Sequence, residues 1–103
     1  MFEVSTEFRK GVFFIRLRGR IDNEGCLDDI DPLINSIGFR VIVLNISDLI
    51  NISINSIRWI NNYYKRILKE KRLLYICDNY VSRDRLFMCI PKLDSEIAAF
   101  SLI

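Results

Sequence analysis

Apolar and polar residues alternate at the start of the chain. Phe2, Val4, Thr6 and Phe8 interleave with Glu3, Ser5, Glu7 and Arg9, the period of two expected of a strand with one wet face. Arg9-Lys10-Gly11 predicts a turn, with Gly11 free to take positive φ. Val12 to Arg18 (VFFIRLR) predicts a second strand ending at Gly19, so the opening reads as an antiparallel hairpin. Leu27, Ile30, Leu33, Ile34 and Ile37 then recur at helical spacing, with Gly38 placed to close the helix. Pro32 is comfortable only in a first turn, so the regular helix is expected from about Asp31, after a looser turn over Glu24 to Asp29.

Arg40 to Ile46 (RVIVLNI) is almost continuously apolar and β-branched, as a parallel strand covered on both faces should be. Ser47-Asp48 reads as a loop. Ile57, Ile60, Tyr64, Ile67 and Leu68 form the apolar stripe of a helix running to about Lys71, capped by Ser53 or Asn55. Trp59 and Tyr63 fall on the flank of that stripe, at the edge of the core or as an aromatic anchor for a partner. Leu73 to Cys77 (LLYIC) predicts another inner strand. Leu86 to Ile90 is expected to be a last strand. Asp94 to Leu102 is expected to be a short helix, capped by Asp94 or Ser95, with Ile97, Phe100 and Ile103 inward.

Alternating strands and helices joined by right-handed crossovers place the chain in the α/β class. The expected architecture is a mixed, mostly parallel sheet of about five strands, with an N-terminal β-hairpin and three to four helices packed on it. Residues 1–103 are expected to form a single domain.

Composition narrows the chemistry. The 103 residues are 50% hydrophobic and include no histidine, which excludes Ser-His and Cys-His nucleophile pairs and histidine metal ligands. The three cysteines, Cys26, Cys77 and Cys89, form no C-x-x-C pair, so no zinc or dithiol motif is readable, and free thiols in a reducing cytoplasm are expected. Glu3, Glu7 and Arg9 interrupt any signal-like start, and no segment approaches the roughly 20 apolar residues a bilayer requires. Asn45-Ile46-Ser47 and Asn51-Ile52-Ser53 match the glycosylation triplet, which carries no meaning without a secretion signal.

A net charge of +2 argues for neither nucleic acid nor acidic lipid by itself. The five acidic residues between Asp22 and Asp31 suit a helix N-terminus better than a metal site. Lys65, Arg66, Lys69, Lys71 and Arg72 likewise suit the negative end of the helix they close. The segment from Asn45 to Ser56 contains no glycine, so no phosphate-cradling loop follows the central strand. A receiver-type acceptor aspartate is also missing there, Asn45 standing in its place. A non-catalytic protein without cofactor or metal is expected.

The order of these segments resembles a STAS domain, the fold of bacterial anti-sigma factor antagonists. Gly19-Arg20-Ile21-Asp22 is similar to the family's Gly-x-[Ile/Leu]-Asp. Val41 to Leu49 (VIVLNISDL) is similar to its central strand and the following Asp-Leu-Ser-x-Val, with Asn45 in place of the aspartate. Asp94 to Phe100 (DSEIAAF) is similar to its closing helix. In the antagonists an Asp-Ser-[Ser/Thr]-Gly-Leu run opens the second helix, and its first serine is phosphorylated by the partner kinase. This chain reads Ser53-Ile54-Asn55-Ser56-Ile57 there, and Ile54 has no hydroxyl to accept phosphate.

The resemblance implies an anti-sigma factor antagonist-like regulator that binds a protein partner, an anti-sigma factor or related ATP-binding serine kinase, without the usual serine switch. Asp22, Ser53, Ile54, Asn55, Ser56 and Trp59 are the expected contact residues, with Ser53 and Ser56 as possible displaced phosphate acceptors. Neither nucleic acid nor direct membrane insertion is expected. The alternative is a small cytoplasmic STAS subunit of a membrane transporter for lipid or anions.

Overall fold

The computed structural model describes residues 2–22, 24–35, 40–79, 86–87 and 89–102. Strand β1 (Phe2–Arg9) and strand β2 (Val12–Ile21) form the expected hairpin, Arg9 facing Val12 across the turn. Lys10 (φ 51°) and Gly11 (φ 85°) both take left-handed φ, the geometry that lets a two-residue turn follow the twist of its strands. Phe2 and Val4 pack on the core, but Phe8 is 59% exposed. β1 is an edge strand, and the core covers only its first half.

Beyond β2 a 3-10 turn (Glu24–Leu27) precedes helix α1 (Ile30–Asn35), matching the expected loose turn and late helix start around Pro32. Ile37 and Gly38, assigned to the end of that helix, lie outside the described residues. Strand β3 (Val41–Ile52) is followed by helix α2 (Ile54–Lys69), strand β4 (Leu73–Cys77), the two-residue strand β5 (Lys92–Leu93) and a 3-10 helix (Ile97–Leu102). The sheet order is β1-β2-β3-β4-β5, with β1 antiparallel to β2 and every other pair parallel. This is the mixed, mostly parallel sheet that the alternation of elements predicts.

The two faces of the sheet are covered differently. Phe13, Ile15 and Leu17 of β2 and Ile42, Leu44 and Ile46 of β3 face α1 and α2, meeting Ile30, Ile60 and Ile67. Val12, Phe14, Val43 and Cys77 face the other way, onto Ala99 and Phe100. Each aliphatic or aromatic side chain so enclosed contributes roughly 1.5–3 kcal/mol.

Three expectations are corrected. Ser47-Asp48 is strand, not loop: β3 continues to Ile52 because register shifts between Arg16 and Arg18 and between Gly19 and Arg20 absorb the polar residues. Gly19, opposite Leu49 at the second shift, takes φ 97° without steric cost. Leu86 and Phe87 lie in a helical turn, and the last strand pairing falls at Lys92–Leu93. The closing helix is a 3-10 helix with Ala99 inward, while Ile97 is 77% exposed. A 3-10 helix repeats every three residues, so the inward position shifts away from that of an α-helical reading. Ile103 lies outside the described residues.

Helix α2 is rotated slightly from its expected stripe: Ser56, Ile60, Tyr63 and Ile67 are its buried line, and Leu68 is 43% exposed. Its C-terminus closes in a Schellman arrangement. The Arg72 N–H donates to the Ile67 carbonyl (3.1 Å) and the Lys71 N–H to that of Leu68 (3.0 Å). Lys71 takes φ 60° at the position where glycine is usual.

Candidate functional site

The pairing of Ile21 with Ile52 brings the end of β2 beside the mouth of α2. The Ser53 N–H continues this contact, donating to the Ile21 carbonyl oxygen at 2.9 Å. Gly19–Asp22 and Ser53–Ile57, far apart in sequence, thus form one surface. Ser53 is the N-cap residue, with extended backbone (φ −73°, ψ 156°). Its Oγ accepts from the Ser56 N–H (3.2 Å) and donates to Ser56 Oγ (2.8 Å). One serine therefore satisfies an otherwise orphaned helix donor and a buried hydroxyl together.

Around that cap the expected contact residues divide. Ile54 is 70% exposed, Asn55 is exposed and Asp22 is exposed, its carboxylate only loosely approaching Arg20 Nε at 3.9 Å. Ser56 is corrected: it is fully buried, so its hydroxyl belongs to the capping lock rather than to the surface. Ser53 is half-buried. Ile50, 79% exposed on the last part of β3, adds a second aliphatic side chain that the sequence reading did not single out, having assigned that stretch no element.

Trp59 lies about one turn further along α2, half-buried and stacked on Tyr63 (centroids 4.9 Å apart, planes 20°). Tyr63 belongs to the core rather than its flank, and burial pushes its phenol up to about 12. The Arg66 guanidinium sits over the Tyr63 ring at 4.6 Å and pairs with Asp31 of α1. Asp31, Trp59, Asn62, Tyr63 and Arg66 line a shallow cavity of about 300 Å³. Trp59 thus borders the junction of the two helices and lies apart from the capping lock.

A polar cluster on the other face of the sheet was not anticipated. Arg16 and Asn45 are register partners on β2 and β3 and converge on Glu96, just before the closing 3-10 helix. Arg16 donates to both Glu96 oxygens (2.8 and 2.7 Å) and to Glu7 of β1 (2.8 Å). Asn45 Nδ2 donates to Glu96 Oε2 (2.7 Å) while its Oδ1 accepts from the Ser47 N–H (2.9 Å). The hydrogen bond from Arg16 holds the Glu96 carboxyl below its ordinary value, and the carboxylates raise Arg16 in turn. This explains the asparagine at position 45. An aspartate there has no hydrogen to give Glu96 and would set two like charges together.

From Ser53 to Ile57 the helix mouth holds no titratable side chain. Its chemistry is that of contact: two exposed isoleucines, an amide and a carboxylate beside a rigid cap.

Comparison with protein-family models and with curated proteins finds no match. Solved structures share the fold. An anti-sigma factor antagonist from Mycobacterium paratuberculosis superposes with a TM-score of 0.78 at 14% identity, over 100% of this chain and 94% of that one. The anti-sigma factor antagonist SpoIIAA in its unphosphorylated form gives 0.75 at 14% identity, over 99% and 96%. An uncharacterised protein from Shewanella loihica with a SpoIIAA-like fold gives 0.62 at 13% identity, over 98% and 92%. The chain has the SpoIIAA-like, STAS fold.

Proposed function

We propose that this protein is a non-catalytic regulatory module that binds an anti-sigma factor or related ATP-binding serine kinase through the mouth of α2. The supporting observation is Ile54, 70% exposed in the first turn of α2 beside the Ser53–Ser56 lock. A serine at such a position could acquire nearly two negative charges and gate a contact. An isoleucine presents the same apolar surface under all conditions. Ile50 enlarges that surface, and Asp22 and Asn55 give it polar edges. In this reading the partner stays engaged without a phosphorylation cycle at the helix mouth.

The test is capture of partners from lysate on the immobilised protein, followed by mass spectrometry and incubation with ATP. The expected partner is an ATP-binding anti-sigma factor, retained by the parent protein and lost with Ile54→Asp, and the protein's intact mass is unchanged by ATP. Retention of that partner by Ile54→Asp, or stoichiometric phosphorylation at Ser53, contradicts the reading.

A further inference from the structure

A net charge of +2 hides a strong separation of charge. The parallel strands β2, β3 and β4 all begin at the same end of the sheet, and basic residues lead into each of them. Arg9 and Lys10 precede β2, Arg40 precedes β3, and Lys65, Lys69 and Lys71 lie on the last turns and exit of α2 before β4. All six are exposed. The Leu73 N–H donates to the Arg40 carbonyl at 2.8 Å, holding the starts of two of these strands together.

Three carboxylates near it are engaged with other cations: Glu70 with Arg72, Glu7 with Arg16 and Asp31 with Arg66. Among the described residues Arg40, Lys65, Lys69 and Lys71 have no carboxylate partner. The helix C-terminus accounts for cations on α2 itself. It does not account for Arg40, which belongs to another element. Arg9 and Lys10 lie over the Phe100 ring, at 5.7 and 5.3 Å from its centroid, and remain exposed.

Apolar side chains stand among these cations. Phe8 is 59% exposed, Leu68 43% and Leu73 42%, all at the same end. Leu68 and Leu73 are aliphatic and have no role against phosphates and riboses, where aromatic stacking and hydrogen bonding do the recognising. They do have a role at a lipid headgroup layer, into whose acyl boundary they insert while lysines and arginines hold the anionic surface. We infer that this end of the molecule is an adsorption surface for anionic phospholipid membranes. It acts as a peripheral contact, since no helix of the described residues is long and apolar enough to cross a bilayer.

The inference is independent of the docking reading but fits it sterically. The 16 residues of α2 separate its mouth from the basic end by about 24 Å, so an adsorbed molecule keeps Ile54 facing away from the bilayer.

Co-flotation of the full chain with vesicles of phosphatidylcholine alone, or of phosphatidylcholine with phosphatidylserine, tests this. Binding is expected only to the second kind, and it weakens as salt is raised. Replacing Arg40, Lys65 and Lys69 together by glutamine is expected to weaken it on the order of a hundredfold, from about fivefold per cation. Phe8→Ser, which leaves the charge unchanged, is expected to weaken it severalfold, whereas Arg20→Gln, at the opposite end of β2, has no effect. Thermal melts of the variants confirm that they are folded. Equal binding to both vesicle types, no binding to either, no loss with the triple variant, or tighter binding to an RNA oligonucleotide than to the anionic vesicles would overturn the inference.

Discussion

The backbone N–H of Ser53 donates to the carbonyl oxygen of Ile21 at 2.9 Å. This bond carries the β2–β3 pairing one step beyond Ile52 and fixes where α2 begins. The surface at its mouth is framed by backbone, on which the exposed side chains of Ile54 and Asn55 can vary. Ser53 completes it by capping α2 and giving buried Ser56 a hydrogen-bond partner.

Ser53→Ala is therefore expected to destabilise the fold by about 1–2 kcal/mol, since it removes the cap and leaves the Ser56 hydroxyl without its partner. Ser53→Asp keeps an acceptor at the N-cap and is expected to stay close to the parent. Thermal melts check both. At roughly 4–8 °C per kcal/mol for a domain of this size, the alanine variant should melt clearly lower.

The cluster around Glu96 predicts a dependence on acid. Its carboxyl lies below the ordinary value of 4.5, chiefly through the Arg16 hydrogen bond. A group depressed on folding contributes stability above its unfolded value, and that contribution is lost as pH falls from about 4.5 through the folded value. Denaturant titrations across this window should show the parent weakening, with a shallower loss in Glu96→Gln.

Asn45→Asp removes the amide donor and places a second carboxylate beside Glu96. Destabilisation by about 1–3 kcal/mol is expected near neutral pH, from loss of a hydrogen bond to a charged group and from charge repulsion. Acidification that protonates either carboxyl should recover part of it. The difference in denaturation midpoint between the two proteins, followed against pH, measures this.

Lys71 occupies a left-handed position that closes α2. Lys71→Gly relieves the clash of Cβ with the backbone, and stabilisation by about 0.5–1 kcal/mol is expected. A rise in Tm checks it.

Much of this fold is legible in the sequence where burial is two-sided. RVIVLNI and LLYIC are apolar without interruption because helices cover one face of β3 and β4 and the C-terminal segment the other. The hairpin shows through its period of two and through Lys10-Gly11. The second half of β3 is hidden because Ser47, Asp48 and Asn51 are polar residues on an exposed or half-exposed stretch, paired through bulges that no local pattern reveals. The C-terminal segment is hidden because β5 has two residues and the 3-10 helix buries only Ala99 of its length.

The site divides in the same way. Ser53 announces itself as a cap by residue type, and Ile54 stands out against the resemblance. The burial of Ser56 depends on a hydroxyl pair that spacing cannot show, and the reach of Ile50 depends on a strand extension that the polar residues Ser47, Asp48 and Asn51 conceal. The Asn45–Glu96 contact joins positions 51 residues apart and becomes visible only in three dimensions.

The central claim is that an uncharged α2 mouth grips a protein partner continuously. Calorimetric titration of the purified ATP-binding partner with the parent protein and with Ile54→Asp tests it most directly. The account predicts a saturable one-to-one complex for the parent, insensitive to ATP, and binding weaker by roughly thirtyfold or more for the variant, as for the loss of about 2 kcal/mol at an interface centre. Equal affinities for the two proteins would contradict it.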